Sequence, residues 1–357
     1  MIESLMSVLR CPVTRSPLTL QKIKISNRKF ENNDIEIIEE GILFGVEGWF
    51  YPLLKGIPRM NIEAIYEYKD FLEKHLPDYS ERIDSLHERF NPFIEMVKKR
   101  TRRTRESFSK EWSFYNYESD KTWGSGAEEM LKIFLDETNE SIASLKDKII
   151  FDAGCGNGAL NSIVGSYGIT TVAMDFSNSI EEAYVKNKYE CVHYIQGNVQ
   201  FPPVAFEYFD IVHSSGVLIA TNNTELSFSC IEPLVKPNGK LSVWLYHPRK
   251  DFIHNCFNKL RNLTSKLPLG LQYFLYKITL FPISYVIKRA KGNKQNTREM
   301  MVDIFDWFSP EFRWEHNHEE AKVWFKKRNY DNVTVTTSSM FGFSIIGQKN
   351  KNSHVYR

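Results

Sequence analysis

The sequence is short of paired cysteines. Its five, Cys11, Cys155, Cys191, Cys230 and Cys256, are scattered, odd in number and form no CxxC pair. This excludes a disulfide framework and a four-cysteine zinc site as the basis of the fold, and it favours a reducing compartment, the cytoplasm. An excess of either charge is also missing. The 46 Lys and Arg stand against 44 Asp and Glu, a net charge of +2, so no global field draws the chain to nucleic acid or to a membrane. The opening stretch, MIESLMSVLRCP, lacks a basic segment followed by a long apolar run, so no secretory leader is expected. No uninterrupted membrane-spanning run occurs either. The nearest approach, Leu267 to Ile287, carries Lys277 in its middle and is broken by Pro268, Gly270 and Pro282. With 42% hydrophobic and 25% charged residues, disordered, collagen-like and coiled-coil chains are excluded too.

What is present is enough for one large domain and one or two small pieces in 357 residues, with abundant aromatics for a core or an apolar ligand. Residues 1–60 alternate short apolar stretches (Leu18–Leu20, Ile35–Ile38, Ile42–Phe44, Trp49–Leu53) with polar turns, which predicts a small β-rich unit. Residues 61–126 form a helical linker and an aromatic cap. Apolar residues at helical spacing (Phe71, Leu72, Leu76, then Ile83, Leu86, Phe90) lead into a basic run, Lys98–Arg105, and then to Phe108, Trp112, Phe114, Tyr115, Tyr117 and Trp123. The basic run reads as a solvated helix face.

From residue 127 to 349 helices and strands alternate. Strands are predicted at Lys148–Ala153, Thr170–Asp175, Val192–Gln196, Phe209–His213 and Lys240–Tyr246, and a terminal antiparallel pair at Asn332–Thr337 and Phe341–Gln348. The fold class is therefore α/β, a parallel sheet covered by helices on both faces. The stretch from about 248 to 310 is too long for a simple connection and reads as an inserted helical lid, with Leu267–Ile287 as a buried helix pair within it and a membrane surface or greasy substrate as the alternative. Residues 350–357 are a tail.

The chemistry starts at Ile149-Ile-Phe-Asp-Ala-Gly-Cys-Gly-Asn-Gly-Ala159, a strand that turns on Gly154, Gly156 and Gly158 and opens a helix. Glycines there let the backbone approach a ligand at the carboxyl edge of the first strand. The spacing is GxGxG, whereas a dinucleotide pyrophosphate favours GxGxxG. Asp175, ending the next strand, can accept both hydroxyl protons of a ribose. Asn198 in Gln196-Gly-Asn198 can pair with an adenine edge, with Val199 or Phe201 packed on the ring.

In FDAGCGNG, the strand-end Asp175, QGN, FDIVHSSGVL and PLVKPNGKLSVWLYHP, the chain resembles the class I S-adenosylmethionine-dependent methyltransferases from about Lys148 to Lys349. The resemblance implies a Rossmann-like seven-stranded sheet with a terminal antiparallel strand, S-adenosylmethionine as the cofactor, and enzymatic methyl transfer. It places Asp152, Gly154, Cys155 and Gly156 around the methionine part, Asp175 and Phe176 at the ribose, Asn198 and Val199 at the adenine, and His213 and Ser214 facing the sulfonium. Ile219-Ala220-Thr221 stands where the most similar subgroup has His-His-Thr. The amino-terminal segments LRCP and GIL…YP…GIPR resemble the zinc-ribbon-like, methyltransferase-activator-type unit that accompanies some of these enzymes. Here Cys11 remains, while Thr14, Phe44 and Glu47 occupy the other ligand positions, so a degenerate ribbon without metal is implied.

An oxygen acceptor needs a base, and His213, His247 and Tyr246, at strand ends near the cofactor, are the candidates. Trp112 and Tyr115 in the aromatic lead-in, and Asp306, Arg313 and His316 in DWFSPEFRWEHNHEE, are the candidate substrate contacts. His316 and His318 form only an isolated HxH, so no metal site is expected. The acceptor class expected is a small molecule, glycan or lipid-like compound. RNA or a peptide is the alternative, on the strength of the ribbon and the Lys98–Arg105 run. A non-catalytic cofactor-binding subunit is a third reading.

Overall fold

The computed structural model describes residues 1–113, 126–249 and 251–351. Of the aromatic lead-in, Phe114, Tyr115, Tyr117 and Trp123 lie outside these residues.

The amino-terminal strands β1 (Thr19–Lys29), β2 (Asp34–Phe44), β3 (Phe50–Leu54) and β4 (Ile57–Pro58) pair antiparallel in that order. Two expectations need correction here. The Ile35–Ile38 and Ile42–Phe44 stretches are one strand, not two. Gly41 joins them because a side chain there would meet the Gln21 carbonyl of β1 at 2.7 Å. β1 also extends well past Leu20, since its pairing with β2 runs from Thr19 to Lys29 and carries polar residues that do not look strand-like alone.

Three helices follow, α1 (Ala64–Glu67), α2 (Lys69–His75) and the long α3 (Tyr79–Trp112). The basic run lies inside α3 and is not simply solvated, as the sequence suggested. Lys98 pairs with Glu95, Arg102 with Glu106 and Arg105 with Glu67, and Arg103 donates to the carbonyls of Ser265 and Leu267.

The remainder comprises α4 (Ala127–Thr138), α5 (Ile142–Leu145), β5 (Ile149–Ala153), α6 (Ala159–Gly165), β6 (Thr170–Asp175), α7 (Ser179–Lys186), β7 (Val192–Gln196), β8 (Phe209–Ser215), α8 (Thr224–Ile231) and β9 (Val235–Tyr246). Four lid helices come next: α9 (Phe252–Thr264), α10 (Leu269–Ile278), α11 (Leu280–Ala290) and α12 (Thr297–Phe308). The chain closes with α13 (His318–Lys326), β10 (Tyr330–Ser338) and β11 (Gly342–Lys349). The seven strands order as β10-β11-β9-β8-β5-β6-β7, parallel except that β11 runs antiparallel to β9 and to β10. Near-continuous apolar runs such as Ile149-Ile-Phe suit strands buried on both faces. Helix starts are marked by side-chain caps: Asn223 on α8, Asp251 on α9, Asn296 with Glu299 on α12, and Asn317 on α13.

One apolar core runs through both sheets, from Leu9, Trp49 and Tyr51 to Phe151, Val212 and Leu245. The seam between them also carries polar bonds. Met60 N–H donates to the Gln196 carbonyl (2.7 Å), and the buried Arg59 reaches Gln196 Oε1 (3.1 Å) and Glu181 (2.9 Å). Cys11 is buried with its Sγ 3.3 Å from the Tyr51 hydroxyl, and no cluster of three metal-ligating side chains occurs among the described residues.

Most of Leu267–Ile287 is helical, as α10 and α11, but it is not the buried pair that its hydropathy suggested. α10 buries only Gln272 and Tyr276, and α11 buries nothing. The lid core is supplied instead by α12, whose Met301, Ile304, Phe305 and Phe308 pack around Tyr276. No described helix is long and apolar enough to cross a membrane.

Candidate active site

The carboxyl ends of β5, β6, β7 and β8 open into one cavity of about 630 Å³, roofed by the end of α3 and walled at its far end by α12 and the β10–β11 turn. Backbone geometry shapes its floor. Gly154 (φ 104°) and Gly156 (φ 54°) hold conformations that a side chain resists. A Cβ on Gly154 would lie 2.2 Å from Val217, and one on Gly156 would lie 2.5 Å from the Trp112 ring.

Asp175 ends β6 and folds back on this turn. Its Oδ2 accepts the Gly156 N–H (2.8 Å), and its Oδ1 accepts the Ser177 N–H (2.8 Å) and hydroxyl (2.6 Å). Burial pushes its carboxyl up, against these three donors, which favour the ionised form. Two oxygens with about four acceptor sites thus retain capacity for a ligand hydroxyl. Asp152 accepts from Asn161 Nδ2 (2.9 Å) and faces His213 Nδ1 at 3.4 Å, while His213 Nε2 lies 2.7 Å from Glu137 of α4. Burial alone would lower the His213 pKa, but the two carboxylates outweigh it and raise it to about 10. His213 is therefore an imidazolium with both N–H groups engaged, which leaves no lone pair for proton removal.

Tyr246, ending β9, donates to Asp306 Oδ2 (3.4 Å) and lies under the Arg313 guanidinium, 3.7 Å from its ring centroid. Burial raises the phenol well above its ordinary value, so it stays protonated. Asp306 is raised to about 6, chiefly by burial and against the pull of Arg313. Glu111 of α3 is fully buried in the cavity wall, and neither of its carboxylate oxygens has a hydrogen-bond partner among the described residues. Burial, with Asp306, Asp303 and Asp175 nearby, holds its carboxyl well above the carboxylate range.

Of the expected residues, Asp152, Gly154, Cys155, Gly156, Asp175, Phe176, Asn198, Val199, His213, Tyr246, Trp112 and Asp306 meet at this cavity. Others do not line it. Ser214 points away and donates to the Ala153 carbonyl (2.9 Å), because alternate strand residues face opposite sides; its neighbours His213 and Ser215 are the ones at the wall. His247 lies 3.3 Å from Ser338 outside the cavity. Arg313 sits behind the Tyr246 and Trp307 rings, and His316 is tied to Thr224 (2.9 Å) and Glu320 (3.0 Å). Tyr115 lies outside the described residues. Sequence reasoning missed Glu111, Glu137, Asp303, Trp244, Trp307 and Phe341. A signal existed for Glu111, since Thr101, Thr104, Phe108 and Glu111 share one helical face. The others depend on tertiary packing.

The profile of the family described as a methyltransferase domain matches residues 151–243, the segment holding the glycine turn, Asp175, Asn198 and His213. Over those residues the chain carries a methyltransferase domain. Its methyl donor is S-adenosylmethionine, and the site of this methyltransferase fits that group. The walls bring six carboxylates together against Arg100 and His213, and the glycine floor is a cradle that a side chain would fill. Among solved structures, the magnesium protoporphyrin IX methyltransferase of Synechocystis with bound S-adenosylhomocysteine is 14% identical. That similarity covers 69% of this chain and 98% of the other, with a TM-score of 0.40. The 1,6-didemethyltoxoflavin-N1-methyltransferase of Burkholderia thailandensis is 11% identical over 69% of this chain and 87% of the other, with a TM-score of 0.41. No curated protein matches the sequence.

Proposed function

We infer that this methyltransferase moves a methyl group from S-adenosylmethionine to an oxygen or nitrogen of a small-molecule, glycan or lipid-like acceptor. The observation that carries this reading is the closure of Asp175 onto the Gly156 N–H at the carboxyl edge of the parallel strands. The bound donor supplies a methyl already activated by its sulfonium, so alignment is the main task left to the protein. Asp152, Gly154, Cys155 and Gly156 would enclose the methionine part, and Asp175, beside Phe176, would accept one ribose hydroxyl on its remaining acceptor site. Asn198 Oδ1 is occupied by the Gln200 N–H (2.9 Å), so its amide nitrogen would donate to the adenine, with Val199 against the ring. Trp112 would cover the turn from above.

The acceptor would lie at the far end, between Tyr246, Trp244, Trp307 and Phe341, with Asp306 as its proton acceptor. Ala220 and Thr221 add no base on the opposite wall, which supports a base from the lid. His213 would instead fix Asp152 and Glu137. Internal pairing of the basic run removes most of the support for an RNA acceptor. The β1–β4 sheet is read as a ribbon-like unit held by apolar packing.

Calorimetry tests the reading. Wild-type protein should bind S-adenosylhomocysteine, and Asp175→Ala should weaken it at least about tenfold, the equivalent of about 1.4 kcal/mol. Unchanged affinity in the variant would overturn the ribose assignment.

A further inference from the structure

The outer face of the lid runs against the expectation that a water-facing helix surface is polar. On α11, Ile283, Val286 and Ile287, spaced i, i+3 and i+4, are exposed, while Phe281, Ser284 and Lys288 on the other side are half-buried. The adjoining α10 repeats the arrangement, with Leu271, Phe274 and Ile278 outward and Gln272 and Tyr276 buried. These six apolar side chains are 44–66% exposed. An apolar face left in water across two helices marks an interaction surface.

Charge selects the occupant. Between Asp251 and Glu299 there are nine Lys and Arg and not one Asp or Glu. That stretch contributes +9 to a chain whose total is +2, and the remainder carries −7. Lys288 is engaged by Asp303 and Arg261 is buried. Lys259, Lys266, Lys277, Arg289, Lys291 and Lys294 remain exposed. A second copy docked face to face would bring like charges together. Apolar side chains flanked by lysines and arginines instead match the headgroup–acyl boundary of an anionic bilayer.

We propose that α10 and α11 dock peripherally on an anionic lipid bilayer, lying in its plane with Leu271, Phe274, Ile278, Ile283, Val286 and Ile287 inserted. At 10 and 11 residues these helices are too short to span and long enough to lie on the surface. The lid's other side packs on α12, whose Asp303, Asp306 and Trp307 face the cavity, so the membrane would stand about one helix layer, roughly 10 Å, from the cavity's far end. The docking does not depend on what the cavity binds.

Co-sedimentation of the full chain with vesicles tests this. Binding should be at least about tenfold tighter to phosphatidylcholine vesicles containing about one third phosphatidylglycerol than to phosphatidylcholine alone, and should weaken with salt. Ile283→Glu with Val286→Glu should abolish it, and Lys277→Glu with Lys291→Glu should remove the preference for anionic vesicles. All four positions are exposed, so thermal melting should show both variants folded. Failure of the wild type to bind either vesicle overturns the proposal, as does binding that neither variant alters. A concentration-dependent dimer dissolved by the first variant, without vesicle binding, assigns the face to a second copy and overturns it equally.

Discussion

At the scale of single residues, neighbours reassign the acid–base chemistry. Read from sequence, His213 is one of three candidate bases, with His247 and Tyr246. Placed between Glu137 and Asp152, with a pKa of about 10, it is a fixed cation instead. Asp306, at about 6, is ionised at neutral pH and faces the same cavity. The rate should therefore fall about tenfold per pH unit below pH 6, as the carboxylate takes up a proton. Asp306→Asn should lower kcat roughly 10²–10⁴-fold and remove that acidic limb. A pH–rate profile of the variant that keeps the limb would assign the base elsewhere.

Glu111 makes a stability prediction. Its folded pKa lies above the unfolded value, so its contribution to stability is full below the ordinary carboxylate range and is lost as pH rises toward the raised value. Gln cannot ionise. The stability of Glu111→Gln relative to wild type, read from urea midpoints, should therefore be greater at pH 8 than at pH 5. An equal difference at the two pH values would contradict the burial of this carboxyl.

At the scale of elements, α3 shows how one helix serves several layers. Its outer positions carry exposed ion pairs that solvent screens and that add little stability, while Arg103 reaches across to cap the end of α9 through Ser265 and Leu267. Charged hydrogen bonds of this kind contribute about 1.5–3 kcal/mol. Arg103→Ala should speed amide exchange in α9 and α10 while leaving the β5–β8 strands protected, as hydrogen-exchange mass spectrometry would show. Uniform protection in the variant would mean that the lid is held by α12 alone. The element reading from sequence worked best where burial on both faces produces continuous apolar runs, as in β5 and β6. It failed in β1, whose one exposed face masks the pattern, and in α10–α11, where apolar residues face outward.

At the scale of the whole molecule, the amino-terminal sheet and the seven-stranded sheet share a core and the Arg59–Gln196 seam. Unfolding in urea should then give one transition, coincident by circular dichroism and tryptophan fluorescence. Removing residues 1–60 should expose the apolar surface around Val204 and Phe209 and cost solubility. Two separated transitions would mean that the shared core does not couple the sheets.

The sequence by itself determined the order of strands and helices from residue 127 onward, the glycine turn and Asp175. These rest on local properties: strand burial, backbone freedom at glycine and the position of an acid at a strand end. Only the tertiary structure decided which side of β8 faces the cavity, that His213 is held between two acids, that Glu111 is buried, and that the lid presents its apolar face outward. Each of these depends on which distant groups lie within a few ångströms, because hydration, carboxylate neighbours and strand alternation act through space rather than along the chain.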